Sequence, residues 1–147
     1  MSRVPVKSVD DLKSLMRRFV EEFQSQGEEA VADELLADTF RNHTAPPGMS
    51  PDKQGVKAYF AAFRRAVPDL RAQVHDMLVD GDKVVTRKTF HGTQTAEFMG
   101  LPATGNAISV DVIDIVRVRD GKFVEHWNVL DTLALMRQMG GVAPPAR

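Results

Sequence analysis

The chain has 147 residues, 43% of them apolar and 27% charged, with a formal net charge of −1. That length and balance fit one globular domain and exclude a collagen, a coiled coil or a disordered chain. Near-neutral charge with both signs interspersed also excludes the electrostatic footprint of a nucleic-acid binder or of a protein held on an anionic membrane.

Cysteine is absent, which removes disulfides, thiolate metal sites and a cysteine nucleophile and fits a reducing compartment. No window approaches the roughly 18 consecutive apolar residues of a membrane helix. Met1–Asp11 lacks the apolar centre of a signal peptide. A soluble, cytoplasmic protein is expected, in which the sequon at Asn42-His43-Thr44 is accidental. One domain is expected over residues 1–147, with its core at about 8–140.

The first third reads as helical. Ser8 can cap a helix whose first turn carries Asp10 and Asp11. Leu12, Leu15, Met16, Phe19, Val20 and Phe23 follow at helical spacing, and Gly27 stops the run. A shorter helix is predicted over about Glu28–Leu36. Thr44–Met49 is a Pro/Gly loop, and Ser50-Pro51 is predicted to start a third helix, with Val56, Tyr59, Phe60, Phe63 and Val67 on one face and Pro68 at its end.

Beyond Pro68 the period changes to that of strands. Arg71–Val79 and Lys83–Thr95 flank Asp80-Gly81-Asp82 as a first hairpin. Phe98–Asn106 reads as a loop. Ile108–Arg119 and Lys122–Leu130 flank Asp120-Gly121 as a second hairpin, the clearest in the chain. Asp131 is placed to cap a last helix, Thr132–Met139, before Gly140-Gly141, and the tail through Pro144-Pro145 is expected to fray. Helices followed by an antiparallel sheet make an α+β fold. A curved sheet wrapped on the N-terminal helices would form a cone-shaped barrel with an internal pocket.

The second hairpin plants Asp111, Asp114, His126 and Asn128 among β-branched residues. A carboxylate there must find a partner or water, because burying it alone costs several kcal/mol. Register decides which of them meet. A two-residue turn at Asp120-Gly121 pairs Arg119 with Lys122 and sets Asp114 opposite Trp127. A three-residue turn with Gly121 in a bulge pairs Val118 with Lys122 and sets Asp114 opposite His126 and Val112 opposite Asn128. The bulged register is preferred because it gathers Asp114, His126 and Asn128 beside Val112, Val116 and Val118. Asp111 points to the other face in either case.

An adjoining carboxylate would fix the tautomer of His126 and raise its pKa, making a general base. Apolar walls could instead keep Asp114 neutral, as a hydrogen-bond donor to an enolate. The competing explanation is a structural cross-strand ion pair.

Several motifs resemble the SnoaL-like polyketide cyclase family of the nuclear-transport-factor-2-like superfamily. They are Asn42-His43, Gly92-Thr93-Gln94, the run Met99–Gly105, Arg117–Lys122, Glu125-His126-Trp127 with Asp131, and Met136–Gly140; the similarity covers about Phe19–Gly140. The resemblance implies a cone-shaped α+β barrel with a deep pocket, a homodimer or larger oligomer, and no metal or organic cofactor. It implies an intramolecular aldol condensation of a polyketide ester. In that mechanism an aspartate late in the last strand is acid/base, and a histidine on the preceding strand assists. Here that aspartate matches Asn128 and the histidine matches Asp114, so the family mechanism does not transfer unchanged. Val112–Arg117 is also similar to the ketosteroid-isomerase strand that carries an oxyanion-hole aspartic acid, at Asp114.

The expected catalytic set is therefore Asp114, His126 and Asn128. His43, Tyr59, Phe63, Arg87, His91, Val112 and Trp127 are the expected substrate contacts. Packing competes for Tyr59 and Trp127, and sheet hydrogen bonding for His91. Arg87 could hold a carbonyl or pair with Asp114. The four histidines lack zinc-ligand spacing. The expected function is acid/base proton transfer on a small apolar carbonyl compound, of cyclase or isomerase type. The rivals are epoxide-hydrolase-like water addition, using Asp114 with Arg87, and a non-catalytic small-molecule-binding module.

Overall fold

The computed structural model describes residues 8–142; the proline-containing tail lies outside that range. Helix α1, Val9–Arg18, opens on a capping box: Ser8 Oγ accepts from Asp11 N at 3.1 Å, and Ser8 N donates to Asp11 Oδ2 at 3.2 Å. Leu12 and Met16 turn inward. The helix then widens into a π-helical segment, Phe19–Ser25, whose buried residues include Gln24 beside Phe19, Val20 and Phe23. Widened turns of this kind often mark a functional position. Helix α2 spans Glu29–Leu35.

Strand β1, Leu36–Asn42, has no counterpart in the sequence reading. Its middle residues, Asp38 and Thr39, are exposed, and its pairing partner lies at the other end of the chain, so no local alternation announces it. Helix α3, Lys53–Ala66, starts later than Ser50-Pro51 suggests, because Asp52 is the cap and accepts from Gly55 N at 3.1 Å. The Pro51 carbonyl is used instead to accept from Asn42 N at 2.7 Å, tying the loop to the end of β1.

The sheet continues with β2, Arg71–Asp80; β3, Lys83–Thr93; β4, Ala107–Arg119; and β5, Lys122–Leu130. Its order is β1-β5-β4-β3-β2, with β1 parallel to β5 and all other pairs antiparallel. The cone is therefore made by a curved mixed sheet with two free edges, not by a closed antiparallel barrel. The Phe98–Asn106 loop drops Phe98 into the core, where its ring stacks on Phe63 at 4.8 Å. Helix α4, Thr132–Gln138, is capped by Asp131 Oδ1, which accepts from Ala134 N at 3.1 Å. Among the described residues no helix is long and apolar enough to cross a membrane.

The β4–β5 hairpin corrects both registers read from the sequence. Asp120 and Gly121 have φ of 52° and 75°, so the turn has two residues and Arg119 pairs with Lys122. A bulge at Val124 then shifts the ladder, and Asp114 faces Asn128, Val116 faces His126 and Val112 faces Leu130. The shift keeps Asp114, His126 and Asn128 on the inner face by a route that neither turn geometry alone provides.

Candidate active site

Between the inner face of the sheet, the π-helical segment, α3 and the β1–α3 loop lies a hollow of about 740 Å³, open mouth included. Phe19, Phe40, Tyr59, Phe60, Phe90 and Val112 supply much of its apolar wall. Asp114, His126 and Asn128 line it from β4 and β5, joined by Lys88, Gln24, Asn42 and Thr44.

The charged centre is Lys88 with Asp114. Lys88 Nζ lies 2.7 Å from Asp114 Oδ2 and 2.9 Å from Gln24 Oε1, and the two side chains are 1% and 3% exposed. The ammonium also stands 5.4 Å from the centre of the Phe90 ring. Asp114 Oδ1 is buried and makes no hydrogen bond among the described residues. One carboxylate oxygen is thus held by a cation while the other has no donor.

His126 Nε2 lies 4.0 Å from Asp114 Oδ2, and Nδ1 lies 2.9 Å from Asn42 Oδ1. Burial lowers the pKa of the imidazole to about 4, overriding the upward pull of Asp114; Lys88 and His43 push it down further. This reverses the expectation that the carboxylate would raise it: desolvation wins, and the ring is neutral near pH 7. Asn128 Oδ1 accepts from Thr44 Oγ1 at 2.8 Å, while Asn128 N donates to that hydroxyl at 3.0 Å. Tyr59 lines the hollow with a phenol that burial raises to about 12, so it keeps its proton.

The remaining expected contacts lie elsewhere. Arg87 and His91 project from the outer face of β3, because the inner set on that strand is Val84, Thr86, Lys88 and Phe90. Arg87 Nε donates to Asp76 Oδ2 at 2.7 Å, so its partner is Asp76 and not Asp114. His91 Nε2 is 3.0 Å from Gln73 Oε1, beside a shallow surface depression. Trp127 is also outward on β5, where it stacks on His43 at 4.8 Å with Lys83 over its ring. His43 Nε2 sits 2.8 Å from Glu125 Oε2, and with Arg117 it holds the Glu125 carboxyl below the usual carboxylate range. Phe63 is fully buried in the aromatic core and does not line the hollow. Asp111 is outward as expected, accepting from Thr89 Oγ1 at 2.6 Å.

Lys88 is the main residue that the sequence reading missed. Val84 and Phe90 mark the inner face of β3, and Lys88 shares their parity. Asn42 and Thr44 were missed with β1 itself, and Gln24 because a polar residue beside Phe23 reads as solvated.

Comparisons with known proteins agree with this architecture. A family model of SnoaL-like polyketide cyclases matches residues 14–139. The chain is 27% identical over 133 residues to aklanonic acid methyl ester cyclase DauD from Streptomyces sp. (strain C5), covering 86% of this chain and 80% of that protein. Its identity to aklanonic acid methyl ester cyclase DnrD from Streptomyces peucetius is 26%, covering 86% and 88%. Among solved structures, TsrD from Streptomyces laurentii aligns with a TM-score of 0.84 at 32% identity, covering 93% of this chain and all of the other.

Proposed function

Since the chain belongs to the SnoaL-like polyketide cyclase family, we propose that it is an enzyme that moves a proton on a small, largely apolar carbonyl compound and thereby drives cyclisation or isomerisation. The observation that carries this reading is Asp114, which lines an apolar hollow with one oxygen on Lys88 and the other without a partner among the described residues. The cyclases named above supply the substrate class, an enolisable polyketide ester.

In this reading Asp114 Oδ1 takes a proton from the carbon beside the carbonyl. The C–H electrons pass to the carbonyl oxygen as an enolate, and the amide of Asn128 and the ammonium of Lys88 supply hydrogen bonds to it. In a cyclisation the enolate carbon then attacks a second carbonyl, and the new alkoxide recovers the proton from Asp114. Neutral His126 beside Asp114 assists the transfer as an acceptor. The family's acid/base aspartate, by the resemblance, matches Asn128, and Asn128 is the register partner of Asp114. In this chain the carboxylate therefore stands on β4, across one rung from the position that the resemblance gives it. Epoxide opening between an arginine and carboxylates is disfavoured, because Arg87 is on the outer face.

The test is conversion of enolisable 1,3-dicarbonyl esters, aklanonic acid methyl ester included, followed with deuterium uptake at the acidic carbon. Asp114→Asn should lower turnover by a factor of about 10²–10⁴; unchanged turnover discards the assignment.

We also propose that two copies pack through the outer face of the sheet. Leu78, Val85, Ile115 and Trp127 form one cross-strand row there, with Ile113 and Val129 beside it.

A further inference from the structure

We propose that Asn42 fixes His126 as its Nδ1–H tautomer, which leaves His126 Nε2 and Asp114 Oδ1, on two residues that line the hollow, as a pair of bare acceptors suited to a ligand hydroxyl. The inference deepens the proposed function and rests on it in taking the hollow as the substrate site.

The hydrogen bonds identify the tautomer. A backbone N–H only donates, and Thr44 N reaches Asn42 Oδ1 at 3.1 Å, so the atom of Asn42 at that position is its oxygen. The same oxygen lies 2.9 Å from His126 Nδ1, and two acceptors would not meet there, so Nδ1 carries a proton. Thr44 Oγ1 has a single proton, directed at Asn128 Oδ1 at 2.8 Å rather than at Asn42 Oδ1 at 3.2 Å. The two lone pairs of Asn42 Oδ1 are then matched by Thr44 N and His126 Nδ1.

Burial keeps the ring neutral, so it has one proton to place and Nε2 is bare. The 4.0 Å gap between Nε2 and Asp114 Oδ2 agrees with this. A protonated Nε2 would close on the carboxylate to about 2.8 Å. Asp114 Oδ1 has no donor among the described residues either. A ligand that brings an enolic or phenolic O–H supplies one of the two acceptors with a donor, whereas its methyl ether supplies none and leaves both desolvated and unpaired. Asn42 is thus a positioning residue that acts through His126.

The tautomer is read by long-range proton–nitrogen NMR of the full chain at neutral pH, with the His126 ring signals assigned by their loss in His126→Gln. Wild type should show Nδ1 as the pyrrole-type and Nε2 as the pyridine-type nitrogen. Asn42→Asp, which keeps an acceptor, should retain that pattern, and Asn42→Leu should move proton population to Nε2. A wild-type ring protonated at Nε2 overturns the proposal, as does an unchanged tautomer in Asn42→Leu; if the leucine variant does not fold, the other two spectra decide. In calorimetry 1-naphthol should bind at least about tenfold more tightly than 1-methoxynaphthalene. Equal affinity, or no binding by either, overturns the ligand class. Neither measurement depends on turnover, so failure here is separable from failure of the Asp114 assignment.

Discussion

Lys88 Nζ and Asp114 Oδ2 are 2.7 Å apart, and both side chains are almost completely withdrawn from water. Such a pair contributes little net stability when intact, but losing one partner strands a buried charge, at a cost of about 3–5 kcal/mol. Lys88→Met should therefore unfold at a markedly lower denaturant midpoint. Adding Asp114→Leu to it should restore much of the loss, because no charge is then left behind. Equilibrium urea unfolding of the single and double variants checks this. A double variant less stable than Lys88→Met would show that the carboxylate does not depend on the lysine.

Thr86 stands opposite Asp114 on the neighbouring strand, is completely buried, and its hydroxyl makes no hydrogen bond among the described residues. A buried hydroxyl without a partner is a desolvation cost of about 1 kcal/mol or more. Thr86→Val, nearly the same shape, should raise the melting temperature by about 3 °C. Differential scanning calorimetry gives the answer. A fall in melting temperature would mean that the hydroxyl does hold Asp114 Oδ1, and would weaken the reading of that oxygen as a free base.

The imidazole of His126 supplies a pH dependence with a definite sign. Its pKa falls from the ordinary 6.5 to about 4 on folding, so between those values the unfolded chain binds more protons than the folded one. The stability that His126 contributes is complete above about pH 6.5 and is lost as the pH falls towards 4, amounting to roughly 3 kcal/mol across that window. His126→Gln, which cannot titrate, should flatten the acid limb of a stability–pH curve between those limits. A curve of wild-type shape would place the titration elsewhere.

Alternation along the last hairpin set Asp114 on the same side of β4 as Val112, Val116 and Val118, and His126 and Asn128 together on one side of β5, but only the register decides whether those two sides coincide. The period of two is a property of any extended strand, and Val112, Val116 and Val118 mark the inner side. The register was not readable, because the bulge falls at Val124, an ordinary strand residue with neither Gly nor Pro beside it. Lys88 was lost among Arg87, Lys88 and Thr89: three polar neighbours suggest a solvated strand, and only Val84 and Phe90 disclose that the lysine faces inward. Strand β1 has no local signal that could have revealed it, since its stability comes from parallel pairing with β5. Asn42 and Thr44 entered the site only through that pairing, which sets Asn42 beside His126.

On the outer face of the sheet, Val129 is 78% exposed and Ile113, its register partner, 50% exposed, beside the row of Leu78, Val85, Ile115 and Trp127. An apolar stripe running across four adjacent strands is unusual for a face left in water, and a second copy offers the same stripe as a complement. Val129→Lys changes no group that lines the hollow. Light scattering coupled to gel filtration should find twice the mass of one chain for wild type and the mass of one chain for Val129→Lys at micromolar concentration. If wild type elutes as a single chain, the stripe does not hold two copies together; if the lysine variant stays dimeric, the contact lies on another surface.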